Sequence, residues 1–222
     1  MNSKLKIILS LVFCVGLGML ISRAGMHLWP SVKQAIFQKA FLYFTSNDTL
    51  LGIYYNTEVR SLDWVSLLPQ KEQDVFARYQ PQEARTVQDL TSQILRSIEA
   101  SSDINYKEAL MSTNTVNLLN SQMISISGFI VPIDFYEDKS IKSLFFVPYF
   151  GACIHFPPPP PNQMLFAQLE RGFIQFDFTQ AYTLTGNINL GLFEDPMGTS
   201  AYTLDIVSIA HFFGQPDDFR RH

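Results

Sequence analysis

The sequence predicts an α+β chain with helices in its first half and a small antiparallel β-barrel in its second. Three observations carry that prediction. From residue 115 the apolar pattern switches to a period of two, and five such stretches follow one another between turn signals. Upstream, residues 86–100 repeat Val87, Leu90, Ile94, Leu95 and Ile98 at helical spacing. Gly128 and Gly186 fall inside two of the β stretches, where a barrel must bend sharply. Five short strands close most naturally as an oligonucleotide/oligosaccharide-binding (OB)-like barrel, with a small sandwich as the alternative. The chain then divides into 1–24, a signal peptide or N-terminal membrane anchor; 25–114, a helical or irregular region with a linker; and 115–222, the barrel.

The elements follow in order. "SVKQAIFQKAFLYF" (31–44) has helical spacing, with Ser31 as N-cap. "LLGIYY" (50–55) reads as a short strand or an apolar patch under a loop. "SLDWVSLLP" (61–69) reads as a buried turn anchored by Trp64, Leu67 and Leu68. Residues 70–85 are polar and contain Pro81, so they read as a linker; 103–114 read as irregular. Thr86 caps the amphipathic helix between them. The strands are expected at 122–131, 142–150, 163–170, 180–190 and 200–212.

The 222 residues are 47% hydrophobic and 16% charged, which is too apolar for intrinsic disorder. A net charge of −4 gives no basic footprint, so nucleic acid is not an expected partner. Lys4 and Lys6, the apolar run Ile7–Ile21 and "SRA" at 22–24 have the layout of a secretory signal. Arg23 in the cleavage motif leaves an uncleaved anchor as the alternative. Either way the remainder is exported, to the periplasm or to the periplasmic face of the inner membrane, with an N-terminal membrane contact in the second case. Cys14 is preceded by bulky Phe13, which argues against lipidation. Beyond residue 24 only Cys153 remains, so no intramolecular disulfide can form.

"GFIVPIDF" (128–135) and "FFVPYFGACIHFPPPPPNQ" (145–163), followed by "SAYTLDIVSI" (200–209), resemble an uncharacterised bacterial family of exported proteins. That family is catalogued as a domain of unknown function and is found mainly in Gram-negative bacteria. "DWVSLLP" (63–69) is similar to the Trp and Leu-Pro element that precedes its barrel. The resemblance implies compartment and fold. It also points to an accessory role beside an envelope partner, such as a transporter component.

The signature stretch carries the candidate chemistry. In an extended chain Cys153 and His155 share a face, and thiolate and imidazole are good ligands for zinc or copper. A third ligand is needed; His211, on a predicted strand, completes a Cys153–His155–His211 set ahead of His27, His222, Asp134 and Asp177. The plain alternative is a core thiol at Cys153 and a turn-bonded imidazole at His155. A catalytic reading makes Cys153 a nucleophile activated by His155, with Asn162 or Asp134 orienting the ring. No oxyanion-hole sequence accompanies it, so the sequence favours a binding module over an envelope enzyme. Pro157, Pro158, Pro159, Pro160 and Pro161 predict a polyproline II rod of about 15 Å. With Asn162 and Gln163, that rod either straps the barrel or docks into an aromatic groove on a partner. Tyr149, Phe150, Phe156, Phe173, Phe176 and Phe178 are core aromatics or a stacking face.

Overall fold

The computed structural model describes residues 41–80, 86–151, 159–174 and 176–216. Two short strands, β1 (Tyr43–Phe44) and β2 (Arg60–Ser61), precede the long ones. The barrel consists of β3 (Gln122–Phe135), β4 (Ile141–Val147), β5 (Leu165–Phe173), β6 (Tyr182–Asp195) and β7 (Gly198–His211). β3 pairs with β4 and β6, β4 with β5, β5 with β7, and β7 with β6, so the hydrogen-bonded circuit closes. This is the connectivity of a five-stranded OB-type barrel, as the strand pattern predicts. One seam is parallel, Leu165 opposite Tyr202 and Phe166 opposite Thr203. A ring with an odd number of strands cannot alternate direction throughout, so one neighbouring pair must run the same way.

Alternation along each strand sends one set of side chains inward. Ile124, Ile126, Ile130, Leu144, Phe146, Leu165, Leu184, Ile188, Leu204 and Ile206 fill the interior. Trp64 joins them from a 3-10 turn (Trp64–Leu67) that the sequence marks as a buried anchor. Trp64 is fully buried, and its indole N–H donates to the Ser127 carbonyl at 2.7 Å. The adjoining Gly128 makes that approach possible: a Cβ there would fall 2.5 Å from the Val147 oxygen and 2.9 Å from the indole. Phe41–His222 is one compact unit, and Tyr43, Leu62, Trp64, Leu67 and Leu119 all pack into the barrel core.

Several upstream expectations are corrected. Of the helix expected over 31–44, Tyr43–Phe44 is instead a strand, paired antiparallel with Ile209 and Ser208 on the edge of β7; 31–40 lie outside the described residues. "LLGIYY" is neither strand nor patch but part of α1 (Asp48–Asn56), whose N-cap Asn47 accepts from the Leu50 N–H. The linker expected from residue 70 begins as α2 (Gln70–Arg78), which buries Val75 and Phe76. Residues 103–114 include α4 (Ile104–Leu110), capped by Asp103. These short helices hold each other: Leu68, Val75, Phe76 and Ala109 form a second core, with Tyr106 and Tyr149 packed against it. Helices this short are marginal alone, so the contact decides what the local sequence leaves open.

Between them lies α3 (Val87–Ser102), where the amphipathic pattern predicts a helix. Thr86 and Asp89 form a reciprocal capping box at its start. Its orientation is unusual: Ala100 is its one buried residue, while Val87, Leu90, Ile94, Leu95 and Ile98 are each 51–83% exposed. Among the described residues no helix is long and apolar enough to cross a membrane, and the Ile7–Ile21 run lies outside them.

Candidate functional site

The signature loop joins β4 to β5, and its far end is fixed by a buried polar corner. Pro159 and Pro160 are buried, and Pro161 opens a 3-10 turn with Asn162 and Gln163. Proline suits the first position of such a turn because its φ is preset and no N–H is lost. Asn162 and Gln163 have no exposed surface. Gln163 Nε2 donates to the Trp64 carbonyl at 2.7 Å, and Asn162 Nδ2 donates to the Glu72 carboxylate and to the Asn114 carbonyl. Glu72, itself buried, also accepts from the Ser112 hydroxyl at 2.6 Å and from Asn114 Nδ2 at 2.9 Å. These three partners are neutral donors. Its place in the first turn of α2 puts the carboxylate at the positive end of the helix dipole. The corner therefore locks the N-terminal layer to the start of β5. The side-chain oxygens of Asn162 and Gln163 are buried without hydrogen-bond partners.

This burial narrows the contact surface expected of the proline rod. Pro159, Pro160, Asn162 and Gln163 face inward, so they are strap and anchor rather than surface. Pro157, Pro158, Cys153 and His155 lie outside the described residues, as does Phe156.

Beside the corner lies an aromatic face on the outside of the barrel. The outward side chains of β3 are Phe129, Val131 and Ile133, followed by Phe135; those of β4 are Phe145 and Val147. Phe166 of β5 and Phe193 of β6 stack at 3.5 Å with an interplanar angle of 12°. Both flank Phe145 edge-on, at 6.3 and 5.9 Å. Phe193 reaches this position because the β6–β7 ladder shifts register between Leu190 and Phe193 and the hairpin folds back over Met164. Phe145, Val147 and Met164 are buried, whereas Phe129, Val131, Ile133, Phe166 and Phe193 remain partly exposed. Phe150, 6.0 Å from Phe129, is 52% exposed and extends the face toward the signature loop.

The aromatics named from sequence do not gather into one surface. Phe173 is core, Phe176 stacks on Tyr182 at the barrel's other end, and exposed Phe178 packs on Phe176. Tyr149 and Phe150 belong to the neighbourhood of the outer face. Phe145, Phe166 and Phe193 escaped the sequence reading, because "LFFV" and isolated Phe residues in strands look like interior packing.

His211 ends β7. Its ring stacks on Tyr182 (5.5 Å, 26°), and its buried Nδ1 has no hydrogen-bond partner. Asp177 is nearby: hydrogen bonds from Thr179, and to a lesser degree the His211 charge, hold its carboxyl below the usual value. Among the described residues no three His, Cys, Asp or Glu side chains converge as a metal site; two of the three proposed ligands lie outside that set. Asp134, offered from sequence as a ring-orienting group, pairs with Lys142 at 2.8 Å, and His155 lies outside the described residues.

Barrel, polar corner and outer face together define an OB-type domain with the outer face of β3, β4 and β5 left partly apolar. The chain belongs to the DUF3299 family, a protein family of unknown function, whose model matches residues 64–211. That range takes in Trp64, Glu72, Asn162, Gln163 and the whole barrel. A crystallised DUF3299 family protein from Pseudomonas aeruginosa PAO1 is 24% identical to it, at a TM-score of 0.49, covering 70% of this chain and 97% of that one. No functionally curated protein matches the sequence.

Proposed function

We propose that this chain is an exported, non-enzymatic binding module of the bacterial cell envelope, whose outer barrel face and adjoining signature loop engage a partner protein. The carrying observation is the half-exposed aromatic face of Phe129, Phe166 and Phe193, continued by Phe150. OB barrels use the surface of their second and third strands for recognition, here β4 and β5. Aromatic anchors dominate the energetics of protein interfaces, and this face supplies them beside a rigid corner. The acidic net charge speaks against a polyanion there. The partner in this reading is an envelope protein, a transporter component by the family resemblance. The chain itself is either periplasmic after signal cleavage or held at the inner membrane by its N-terminus.

The test is capture of partners from detergent-solubilised envelopes of the source cells, using the full chain as bait. A Phe150→Ala/Phe166→Ser variant, checked for folding by circular dichroism, should lose the specific partner. An unchanged set of captured proteins would refute the face as the binding surface.

A metal-dependent form of the same reading is favoured by the orphaned Nδ1 of His211. In it, Cys153, His155 and His211 hold zinc or copper. Elemental analysis of protein purified from the envelope should find stoichiometric metal. Cys153→Ser, His155→Ala and His211→Ala should each release it. Retention in all three variants, or no metal in the parent, would dismiss the site.

A further inference from the structure

Helix α3 turns its aliphatic side away from the domain that holds it. Val87, Leu90, Ile94, Leu95 and Ile98 recur at helical spacing and form one stripe, each more than half exposed. Ala100, its one buried residue, falls on the opposite side of the helix, together with Asp89, Arg96 and Glu99. The charged residues of the helix are thereby withdrawn from the stripe. Thr91, Ser97 and Ser101 lie within or beside it, and their hydroxyls are bonded inside the helix. Thr91 donates to the Val87 carbonyl at 2.9 Å, Ser97 to that of Gln93 at 3.0 Å, and Ser101 to that of Ile98 at 2.7 Å. A hydroxyl already bonded to its own helix can leave water at little cost. Stripe and hydroxyls can therefore leave water together.

The dimensions of the stripe decide what can cover it. Sixteen residues make a helix about 24 Å long, and a stripe about 10 Å wide gives a footprint of about 240 Å². A stable protein interface takes about 800 Å² from each partner, so a second copy packed on this helix falls well short. A lipid surface sets no such minimum, because fluid chains conform to whatever apolar area sinks into them. The helix is also shorter than the roughly 20 apolar residues that cross a bilayer, so it can lie on one but not span it. In the anchored form of the envelope reading, Ile7–Ile21 sits in the membrane and Phe41 follows roughly twenty residues later. The described domain then begins at most about 70 Å from the bilayer, which keeps α3 at high local concentration beside it.

We propose that α3 lies in the surface of a phospholipid bilayer, its aliphatic stripe among the acyl chains just below the headgroups and its Ala100 side toward the domain. The stripe carries no cation, so the contact requires no anionic lipid. The proposal concerns a different surface from the partner-binding barrel face, and it rests on the envelope reading for the presence of a bilayer.

The experiment uses the full chain reconstituted into vesicles of equal parts phosphatidylcholine and phosphatidylethanolamine, with or without bromine high on the acyl chains. A Trp29→Phe background leaves Trp64, buried in the barrel, as the other indole, and its emission is subtracted. Emission from Leu95→Trp should fall at least about twofold in brominated lipid, as burial 5–10 Å into the headgroup boundary demands. Ser92→Trp, on the far side of the helix, should be unaffected. Equal quenching at both positions would overturn the proposal. So would a Leu95→Trp emission that shifts to the blue without quenching, because protein would then cover the stripe. Flotation of the parent and of Leu90→Ser/Ile94→Ser, checked for folding by circular dichroism, separates this contact from the anchor. If both float and Leu95→Trp is quenched, helix contact and anchor both stand. If both float and it is unquenched, the proposal falls and the anchor stands. A parent that floats while the variant stays behind supports the helix contact and removes the anchor. A parent that stays behind overturns both.

Discussion

Replacing Glu72 tests whether the signature corner is held by its carboxylate. Three side chains donate to it: Ser112, Asn114 and Asn162, of which Ser112 and Asn162 are buried. Glu72→Leu leaves those donors facing hydrocarbon. A buried donor deprived of its partner costs about 1–3 kcal/mol. Asn114 is the least buried of the three and can turn to water, and Asn162 Nδ2 retains the Asn114 carbonyl. The Ser112 hydroxyl and one Asn162 N–H are therefore left to bear the loss, about 3–5 kcal/mol together. Glu72→Gln keeps one acceptor oxygen. Its new N–H₂ can meet the orphaned Asn162 oxygen if that amide flips, so a cost of about 1–2 kcal/mol is expected. Equilibrium urea unfolding, followed by tryptophan fluorescence, separates the two variants by their midpoints at constant slope. A loss below about 1 kcal/mol for Glu72→Leu would refute the corner as a polar lock. So would equal losses for the two variants, since simple volume change would then explain both.

Other outcomes follow from the same structure. Gly128→Ala should destabilise by more than about 2 kcal/mol, because the new methyl meets backbone at Val147 and the Trp64 indole; thermal unfolding measures it. The Tyr202 hydroxyl donates to the Leu67 carbonyl and accepts from the Val116 N–H, and burial pushes its pKa up to about 12. Because the folded value lies above the unfolded value near 10, its contribution is complete below pH 10 and is lost as pH rises from about 10 through 12. Stability measured across that window should fall by about 2–3 kcal/mol in the parent and by less in Tyr202→Phe. The Lys142 ammonium, 2.8 Å away, holds the Asp134 carboxyl below the usual range. Lys142→Met should return it upward in a carbon-detected NMR titration; an unmoved midpoint would show that backbone hydrogen bonding suffices.

How much of this was legible in the sequence differs by element. The barrel strands were legible because each buries one face, and a one-residue slip would turn that face to water. Helix Val87–Ser102 was legible because Thr86 and the apolar stripe are both local signals. The helices at 48–56 and 70–78 were not: each is nine residues long, and its identity depends on packing partners distant in sequence. Glu72 was hidden for a related reason. It sits in a polar run that reads as solvent-facing, and Ser112, Asn114 and Asn162, all far away in sequence, make it an interior group. Asn162 and Gln163 were named from sequence as contact residues; their burial and their bonds to Glu72, Asn114 and Trp64 depend on chain segments distant in sequence. The outer aromatic face could not be told from core because strand periodicity reports which residues share a side, not which side is inside. The fold-back of the β6–β7 hairpin settles that for Phe193 and Phe166.

The orientation of α3 has a practical consequence for anyone handling the protein. Five bulky aliphatic side chains stand in water along one side of a helix that the rest of the molecule grips by Ala100. Among the described residues, that stripe is a surface ready to adsorb to resin, tube wall or detergent micelle during purification. A Leu95→Gln/Ile98→Gln version, altered only at exposed positions, is the form to carry into dilute-solution experiments on the barrel.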